Sequence, residues 1–336
     1  MISKKALVGV AALAVSALGV PAANAAQPGT AEFAQAQNSA IAQAEQVSGT
    51  LGAATGGYYL DGTTAVVTVL DSAAAKVVRS HGLVARTVKH SFAALTSAKN
   101  SMDSVTGVPQ TTWGIDTASN QVVVTIYDAA SKSSSDKVTA AAQRLGDAAR
   151  IEHKAGRLDL HIADGDAIRN GGSRCSLGFN VEQNGTPYML TAGHCTNLGG
   201  TWSGGDVSGA EVVHSDCPGA DSGVLTRPNG TGPGQINTGQ AITSAGSPTV
   251  GQRMQKQGST TGGGSGQITS VDQTVNFDVG VLEHEFGTTA HTDHGDSGGP
   301  AYSGSVGLGT LSGGDTQTSY FYPLELELQS YGLTLA

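Results

Sequence analysis

Three short segments of this chain hold residue types able to break an amide bond. They are Leu190 to Cys195, which contains His194; Ala220 to Leu225, which contains Asp221; and His294 to Pro300, which contains Ser297. Amide hydrolysis by a serine needs a base for the hydroxyl proton, an acidic group to orient that base, and donors for the developing oxyanion. Ser297 would be the nucleophile. His194 would act first as general base and then as general acid, because a neutral imidazole titrates near physiological pH. Asp221 would fix the imidazole tautomer and stabilise the imidazolium. The backbone N–H groups of Gly295 and Ser297 would form the oxyanion hole, with glycine supplying the unusual backbone that so tight a loop demands. Any one segment could arise in a Gly-rich loop or hold a core histidine. Together they occur in the order His, Asp, Ser, with Cys195 directly after the histidine and Cys175 upstream by 195 − 175 = 20 positions. That order differs from those of the subtilisins and the α/β-hydrolases.

Such groups need a rigid frame. The chain has 336 residues, 48 of them Gly, with 13% charged and 5% aromatic residues, which favours short strands and tight turns over long charged helices. From Cys175 onward, short apolar or alternating runs sit between Gly, Asn, Ser and Pro clusters: 175–181, 188–191, 223–225, 266–271, 274–281 and 306–311. This spacing predicts an all-β sandwich or barrel. Residues 323–331 carry a helix-like Leu324, Leu328, Tyr331 stripe that strict alternation also fits. Residues 27–161 read instead as a mixed α/β unit. A helix is predicted over 31–47, a strand over 64–70, and strand, turn, strand over 112–126. A further helix follows, with Ser135 as its N-cap and Val138, Ala142, Leu145 and Ala149 on one face.

The first residues show a secretory signal pattern: Lys4 and Lys5, an apolar run from Ala6 to Val20, and the small-residue site Ala23 to Ala25. That run is too short to span a membrane, and no later stretch is long and apolar enough. We therefore expect a signal peptide over 1–25 and a secreted, extracellular product. In that oxidising setting the three cysteines cannot all pair internally. We expect a Cys175–Cys195 disulfide, leaving Cys217 as a buried thiol or an intermolecular partner. Residues 1–161 hold 13 Lys+Arg and 11 Asp+Glu. Residues 162–336 hold 5 and 16, so the second part stands at 5 − 16 = −11. Phosphate backbones would be repelled by such a surface, which excludes nucleic acid as a partner. A monomer acting on protein or peptide substrates without a cofactor is expected.

From about Gly57 to the end, the sequence resembles the streptogrisins, bacterial members of the chymotrypsin-like serine proteases, with α-lytic protease a more distant relative. The resemblance rests on Gly57 to Leu60, Trp113 to Asp116, Ile162 to Ile168, Arg174 to Asn180, Thr191 to Cys195, Gly258 to Gly262 and Gly295 to Pro300. It implies a mature domain over 162–336 made of two six-stranded antiparallel β-barrels with the catalytic residues at their junction. It also implies a pro-domain over 26–161 that assists folding and inhibits until cut away between His161 and Ile162. Asp206 and Asp216 also lie between His194 and Ser297, and Asp221 is preferred because it opens a Gly-Val-Leu strand as the family motif does. By the same resemblance Ser312 sits against Asp221. Ser312, Gly313 and Gly314 wall the primary specificity pocket, and Lys256 pairs with Asp296.

The sequence also departs from the family. His291 stands where relatives place a cysteine that braces the pocket, and the segment from Gly314 to Tyr320 is shorter, so the brace is lost and a wider or looser pocket is expected. Ser222 stands where an aromatic is usual. Leu311 replaces the histidine of a glutamate-selective relative, which leaves large apolar or aromatic side chains as the expected preference. His291, Asp293 and His294 could in principle hold a divalent metal. Because the catalytic reading already accounts for their loop, Asp293 and His294 are read as substrate contacts and no metal is expected. An inactive binding module and an esterase are the competing functions.

Overall fold

The computed structural model describes residue 27 and residues 30–160, 165–278 and 280–336. The expected signal peptide and the His161–Ile162 cut lie outside the described residues. The N-terminal part is α/β as expected. Helix Ala31–Leu51, capped by Thr30, and helix Ser72–Ser80, capped by Asp71, pack on a three-stranded sheet of Thr55–Asp61, Thr64–Val69 and Val84–Thr87. Helices Phe92–Asp103 and Lys132–Arg144 pack on the strands Thr111–Asp116, Gln121–Tyr127 and Ala149–Lys154 through Leu95, Met102, Trp113, Val124 and Val138. The N-cap of the second helix is Ser131, not Ser135. Ser131 Oγ accepts the Ser134 N–H at 3.1 Å, and Ser135 already donates to the Ser131 carbonyl. The earlier serine wins because its side chain reaches the orphan N–H three residues on.

In the second half, six strands close into a ring. Arg253–Gly258 pairs with both Gly262–Phe277 and Pro300–Ser303. The latter pairs with Val306–Gly314, then Ser319–Pro323, then Gly280–Thr288, which returns to Gly262–Phe277; every ladder in the ring is antiparallel. The two runs read separately at 266–271 and 274–281 are partly one strand. Gly262–Phe277 continues through irregular register around Asp272, whose φ is 48°. Such a bulge bends a long strand around a barrel corner without ending it.

The other sheet has eight strands and differs from the expected six. In spatial order these are Thr334–Leu335, Asn180–Gln183, Thr186–Thr191, Ser222–Thr226, Val207–Asp216, Thr201–Gly204, Ala167–Asn170 and Ser173–Ser176. Among the described residues no ladder joins its two ends. The predicted run 175–181 is split, and the C-terminal residues add a strand at one edge. The Cys175–Cys195 disulfide ties the far edge strand back to the helical turn Gly193–Thr196, beside Trp202 in the same apolar cluster. The C-terminal segment is a helix, Leu324–Tyr331, with Leu324, Leu328 and Tyr331 packed into a cluster with Phe179, Leu190 and Val224.

The two halves share a sheet. Strand Thr111–Asp116 adds antiparallel to Gly262–Phe277, with Trp113 opposite Thr274 and Thr112 opposite Val275, so the three N-terminal strands extend the ring outward. Lys99, almost fully buried, reaches Asp272 at 3.3 Å, Lys154 reaches Asp315 at 2.9 Å, and Arg157 reaches Asp278 at 2.8 Å. Each cation comes from the first half and each carboxylate from the second.

A disulfide closing a 20-residue separation contributes about 3 kcal/mol through loop entropy. Replacing Cys175 and Cys195 together by serine should lower the unfolding free energy of the second half by about that amount, read from the denaturant transition of Trp202 fluorescence; an unchanged transition would show that the crosslink does not hold the open sheet.

Candidate functional site

Asp221 begins the approach to strand Ser222–Thr226, which lies antiparallel to Thr186–Thr191; His194 follows that second strand by three residues. The pairing brings the two side chains together. Asp221 is fully buried; its Oδ1 accepts the His194 backbone N–H at 2.7 Å and its Oδ2 lies 2.8 Å from His194 Nδ1. Burial alone would raise the Asp221 carboxyl. The His194 charge, the two bonds from His194 and a further bond from Ser312 outweigh it and hold the group below its ordinary value. Asp206 and Asp216 are engaged elsewhere, Asp206 with Arg227 at 2.6 Å and Asp216 with the Tyr331 hydroxyl at 2.8 Å.

Ser297 comes from the other half of the second domain and is also buried; its Oγ donates to the Ser312 carbonyl at 3.3 Å. Ser312 thus lies beside both partners: its carbonyl accepts from Ser297, and its hydroxyl, bonded to Glu285 at 2.8 Å, is near enough to Asp221 to lower that carboxyl. The serine loop is seated against the histidine segment at Gly298, with φ 84°, where a Cβ would collide with Thr191 Oγ1 and the Ala192 nitrogen. Only glycine satisfies both that backbone and that approach. Gly295, φ 108°, gives the loop its turn. Among the described residues no acceptor takes the N–H of Gly295 or of Ser297. Two buried, uncommitted donors on a fixed loop are the arrangement that a developing oxyanion requires.

The loop is anchored from behind. Lys256 and Asp296 are 2% and 1% exposed and 3.3 Å apart. Asp296 also accepts from the backbone of Asp293, Thr260 and Thr261 and from the Thr261 hydroxyl. The Thr260–Thr261 cradle was invisible to residue-type reasoning, because its contribution is mainly backbone N–H. Burial lowers the Lys256 ammonium and the Asp296 charge opposes that shift. Asp293 and His294 are exposed on the same loop, Asp293 Oδ1 taking the His294 N–H at 2.6 Å, and His291 is exposed as well. Among the described residues no group of three or more His, Cys, Asp or Glu could hold a metal.

The missing brace does not leave the pocket ends untied. Thr292 and Ser319 hydroxyls meet at 2.6 Å and Ser319 Oγ donates to the Ala290 carbonyl at 2.8 Å, joining the two sides. Asp315 Oδ1 accepts from Gln317 and Thr318 backbone N–H groups, closing the short connection as an Asx turn. Cys217 is half-buried and free of a disulfide. Burial, and then the neighbouring Asp221 charge, pushes its thiol up.

Two features escaped the sequence. Glu285 and Glu327 are fully buried. Glu327 Oε1 accepts from Ser222 Oγ at 2.9 Å and Thr310 Oγ1 at 3.1 Å, filling space beside the serine that stands where an aromatic is usual. Burial pushes both carboxyls well above the ordinary carboxylate range.

The geometry and the comparisons with known proteins agree on the class. Residues 28–88 match the family described as alpha-lytic protease pro N-terminal and residues 90–158 the alpha-lytic protease prodomain. Streptogrisin-D of Streptomyces griseus is 40% identical over 298 residues, 84% of this chain and 76% of that protein. Serine protease 1 of Streptomyces fradiae is 38% identical over 86% of this chain and 85% of its own. Glutamyl endopeptidase 2 of Streptomyces griseus is 40% identical over 52% of this chain and 99% of its own. A solved glutamic acid-specific serine protease is 37% identical, covering 51% of this chain and 98% of its own, with a TM-score of 0.48. The class is that of a serine protease carrying an alpha-lytic-type prodomain. Within it, the chain belongs to the streptogrisin family.

Removing Lys256 would strand a buried carboxylate. Lys256→Met should cost about 3–5 kcal/mol of stability by denaturant unfolding; a loss well under 1 kcal/mol would mean that the backbone cradle alone suffices. The raised Glu327 carboxyl gives a pH signature. The native state holds a proton that the unfolded chain releases above about pH 4, so stability is full below that value and falls as pH rises through the folded pKa. Glu327→Gln cannot titrate, and its thermal midpoint should fall less than that of the unaltered chain between about pH 5 and about pH 9. Parallel curves would show that Glu327 is not protonated in the fold.

Proposed function

We propose that the chain is the precursor of a secreted serine endopeptidase. In this reading residues 1–25 direct export, 26–161 form the pro-domain, and 162–336 form the protease, freed by a cut between His161 and Ile162. Ser297 Oγ attacks the substrate carbonyl as His194 takes its proton. Asp221 holds the ring by Nδ1 and stabilises the imidazolium. The Gly295 and Ser297 N–H groups receive the oxyanion, His194 returns the proton to the leaving amine, and water attacking by the same route releases the acid. Lys256 and Asp296 hold the oxyanion loop, while Ser312, Gly313 and Gly314 align the substrate.

The observation that carries this reading is the tail of the first half. Leu160 pairs antiparallel with Gly313 and Asp159 with Gly314, so the chain leading to His161 lies along the strand proposed to align substrate. Leu158, fully buried, packs with Val275, Phe277, Leu282, Tyr320 and Tyr127, its backbone held on both sides by Gln110. A strand added there occupies the place proposed for substrate, which accounts for inhibition by the pro-domain. The preference is proposed to be for large apolar or aromatic side chains. Leu311, buried in the apolar core of the ring, leaves no histidine at the position used by a glutamate-selective relative. No helix among the described residues is long and apolar enough to cross a membrane.

Ser297→Ala should lower kcat/KM for peptide substrates by about 10⁴-fold or more, abolish labelling by a fluorophosphonate, and leave the N-terminus created at Ile162 undetected if processing is autocatalytic. Peptidase activity surviving that change would refute the reading. Leu158→Ala removes about 2 kcal/mol of apolar burial, which should weaken inhibition of the cleaved enzyme by its pro-domain roughly 30-fold; unchanged inhibition would show that the tail does not contribute to the block.

A further inference from the structure

Behind Asp221 lies a carboxyl that this reaction does not use. Glu285, on strand Gly280–Thr288, has no exposed surface, and the Ser312 hydroxyl lies 2.8 Å from its Oε1. Its Oε2 meets no partner among the described residues. The same Ser312 hydroxyl is close enough to Asp221 to help hold that carboxyl below its ordinary value. One hydroxyl has one proton to give and lone pairs with which to accept. Were both carboxyls ionised, they would compete for that proton in a dry interior and one would be left as an unpaired buried charge.

The neighbours decide which carboxyl keeps the proton. Asp221 already receives two N–H groups from His194. Glu285 is faced by Asp221, by Glu327 from the C-terminal helix, by Cys217, by Tyr320 and Tyr322 from strand Ser319–Pro323, and by Gln273 across its ladder. None of these is a cation. Burial first, then the Asp221 and Glu327 charges, push its carboxyl up, and only the Ser312 bond acts the other way.

We propose that Glu285 is a positioning residue for the proteolytic reaction: as a neutral acid it donates to Ser312 Oγ, and thereby commits the Ser312 proton to Asp221. The inference rests on the roles proposed above for His194, Asp221 and Ser297. The hydrogen bonds then run in one direction, from Glu285 to Ser312 to Asp221, and Asp221 is met by three donors, each with its own proton. Ser312 is held by its side chain in the strand whose carbonyl receives the Ser297 hydroxyl and whose next residues pair with the tail. When Glu285 loses its proton at high pH, the donor becomes a second acceptor, a like charge appears beside Asp221, and the orientation of Ser312 is no longer determined.

The test uses chains expressed as the full precursor and processed, with active sites counted by fluorophosphonate and kcat and KM followed for a chromogenic peptide from about pH 6 to about pH 10. The unaltered enzyme should lose kcat on the alkaline side. Glu285→Gln keeps a donor to Ser312 and cannot ionise, so its alkaline loss should disappear. Glu285→Met removes donor and charge together; it too should lack the alkaline loss, but with kcat roughly 5–10-fold lower and KM little changed. The amide should retain more kcat than the thioether. An alkaline limb identical in the unaltered and Gln enzymes, or a Met enzyme with full kcat, would overturn the proposal. Should the Gln form not mature, the Met form and the infrared band of a protonated carboxyl, present at neutral pH and lost with the alkaline limb, decide the matter alone. A Ser297→Ala control separates the two levels. Turnover in that control sinks the catalytic reading, whereas Ser297-dependent turnover with an unmoved alkaline limb sinks only the role of Glu285.

Discussion

The constraint on which the rest of the site depends is a carboxylate, Asp221, held below its ordinary pKa with no exposed surface and, among the described residues, no lysine or arginine paired with it. Isolated in such surroundings a carboxylate would take up a proton. It stays charged because the chain surrounds it with donors drawn from different elements: the backbone and ring of His194 from the end of one strand, and Ser312 from the opposite ring. No single element could supply these. The backbone N–H comes from a one-turn helix whose glycine, Gly193, lies so close to the Asp216 and Ser222 carbonyls that a side chain there would collide with both. The Ser312 hydroxyl arrives only when the six-stranded ring is complete. The charge that would orient the imidazole is thus also a reason for the two halves of the 165–336 region to stay docked, since separating them would strand it.

A similar economy governs how the first half meets the second. A strand edge offers unpaired N–H and C=O groups and attracts any extended segment. Here Gly262–Phe277 is covered by Thr111–Asp116, and the strand beside Ser297 is covered by Asp159–Leu160. Backbone pairing provides strength without sequence preference, and the buried Leu158 and the Lys99, Lys154 and Arg157 ion pairs fix the register. The acidic excess of residues 162–336 therefore has a structural counterpart in Asp272, Asp278 and Asp315 facing the cations of the first half. A docked surface built from ladders and screened ion pairs holds while the chain is continuous; after a cut, its ion pairs remain sensitive to salt.

What the sequence made legible follows from which signals are local. His194, Asp221 and Ser297 stand out through residue type and the glycines around them, and Cys175 and Cys195 through the export that the first residues lead one to expect. Helix Ala31–Leu51, strand Thr64–Val69, the hairpin through Asn120 and helix Lys132–Arg144 follow from periodicity, but the last was read four residues late at its cap and too far at its end, since Ala149 begins a strand, and the shorter elements Thr55–Asp61, Ser72–Ser80, Val84–Thr87 and Phe92–Asp103 were not read at all. The eight-stranded sheet and the fused strand through Asp272 were not legible. Ladder partners are set by contacts remote in sequence, and a bulge leaves no periodic trace. Glu285 and Glu327 were hidden for a different reason: a glutamate in a strand or an amphipathic helix reads as a solvated residue, and only the three-dimensional neighbourhood reveals that it has none of the solvent it would need to ionise.

Those two glutamates also show how a core can hold carboxyls without collapsing. Glu327 fills the space beside Ser222 and accepts from two hydroxyls, and Glu285 fills the space beside Ser312, whose hydroxyl lies 2.8 Å from its Oε1. In each case a carboxyl meets a serine or threonine hydroxyl and not a lysine or arginine, so a proton, and not a salt bridge, resolves the cost of burial. The strand Val306–Gly314 runs between them, carrying Thr310 and Ser312 toward one glutamate each. A protonated acid can both give and accept, whereas an apolar side chain can do neither. The two acids therefore give this strand directional contacts at Thr310 and Ser312. The strand proposed to align substrate is fixed by side-chain bonds as well as by its ladders, and the condition for that stiffness is that the interior remain dry enough to keep both protons in place.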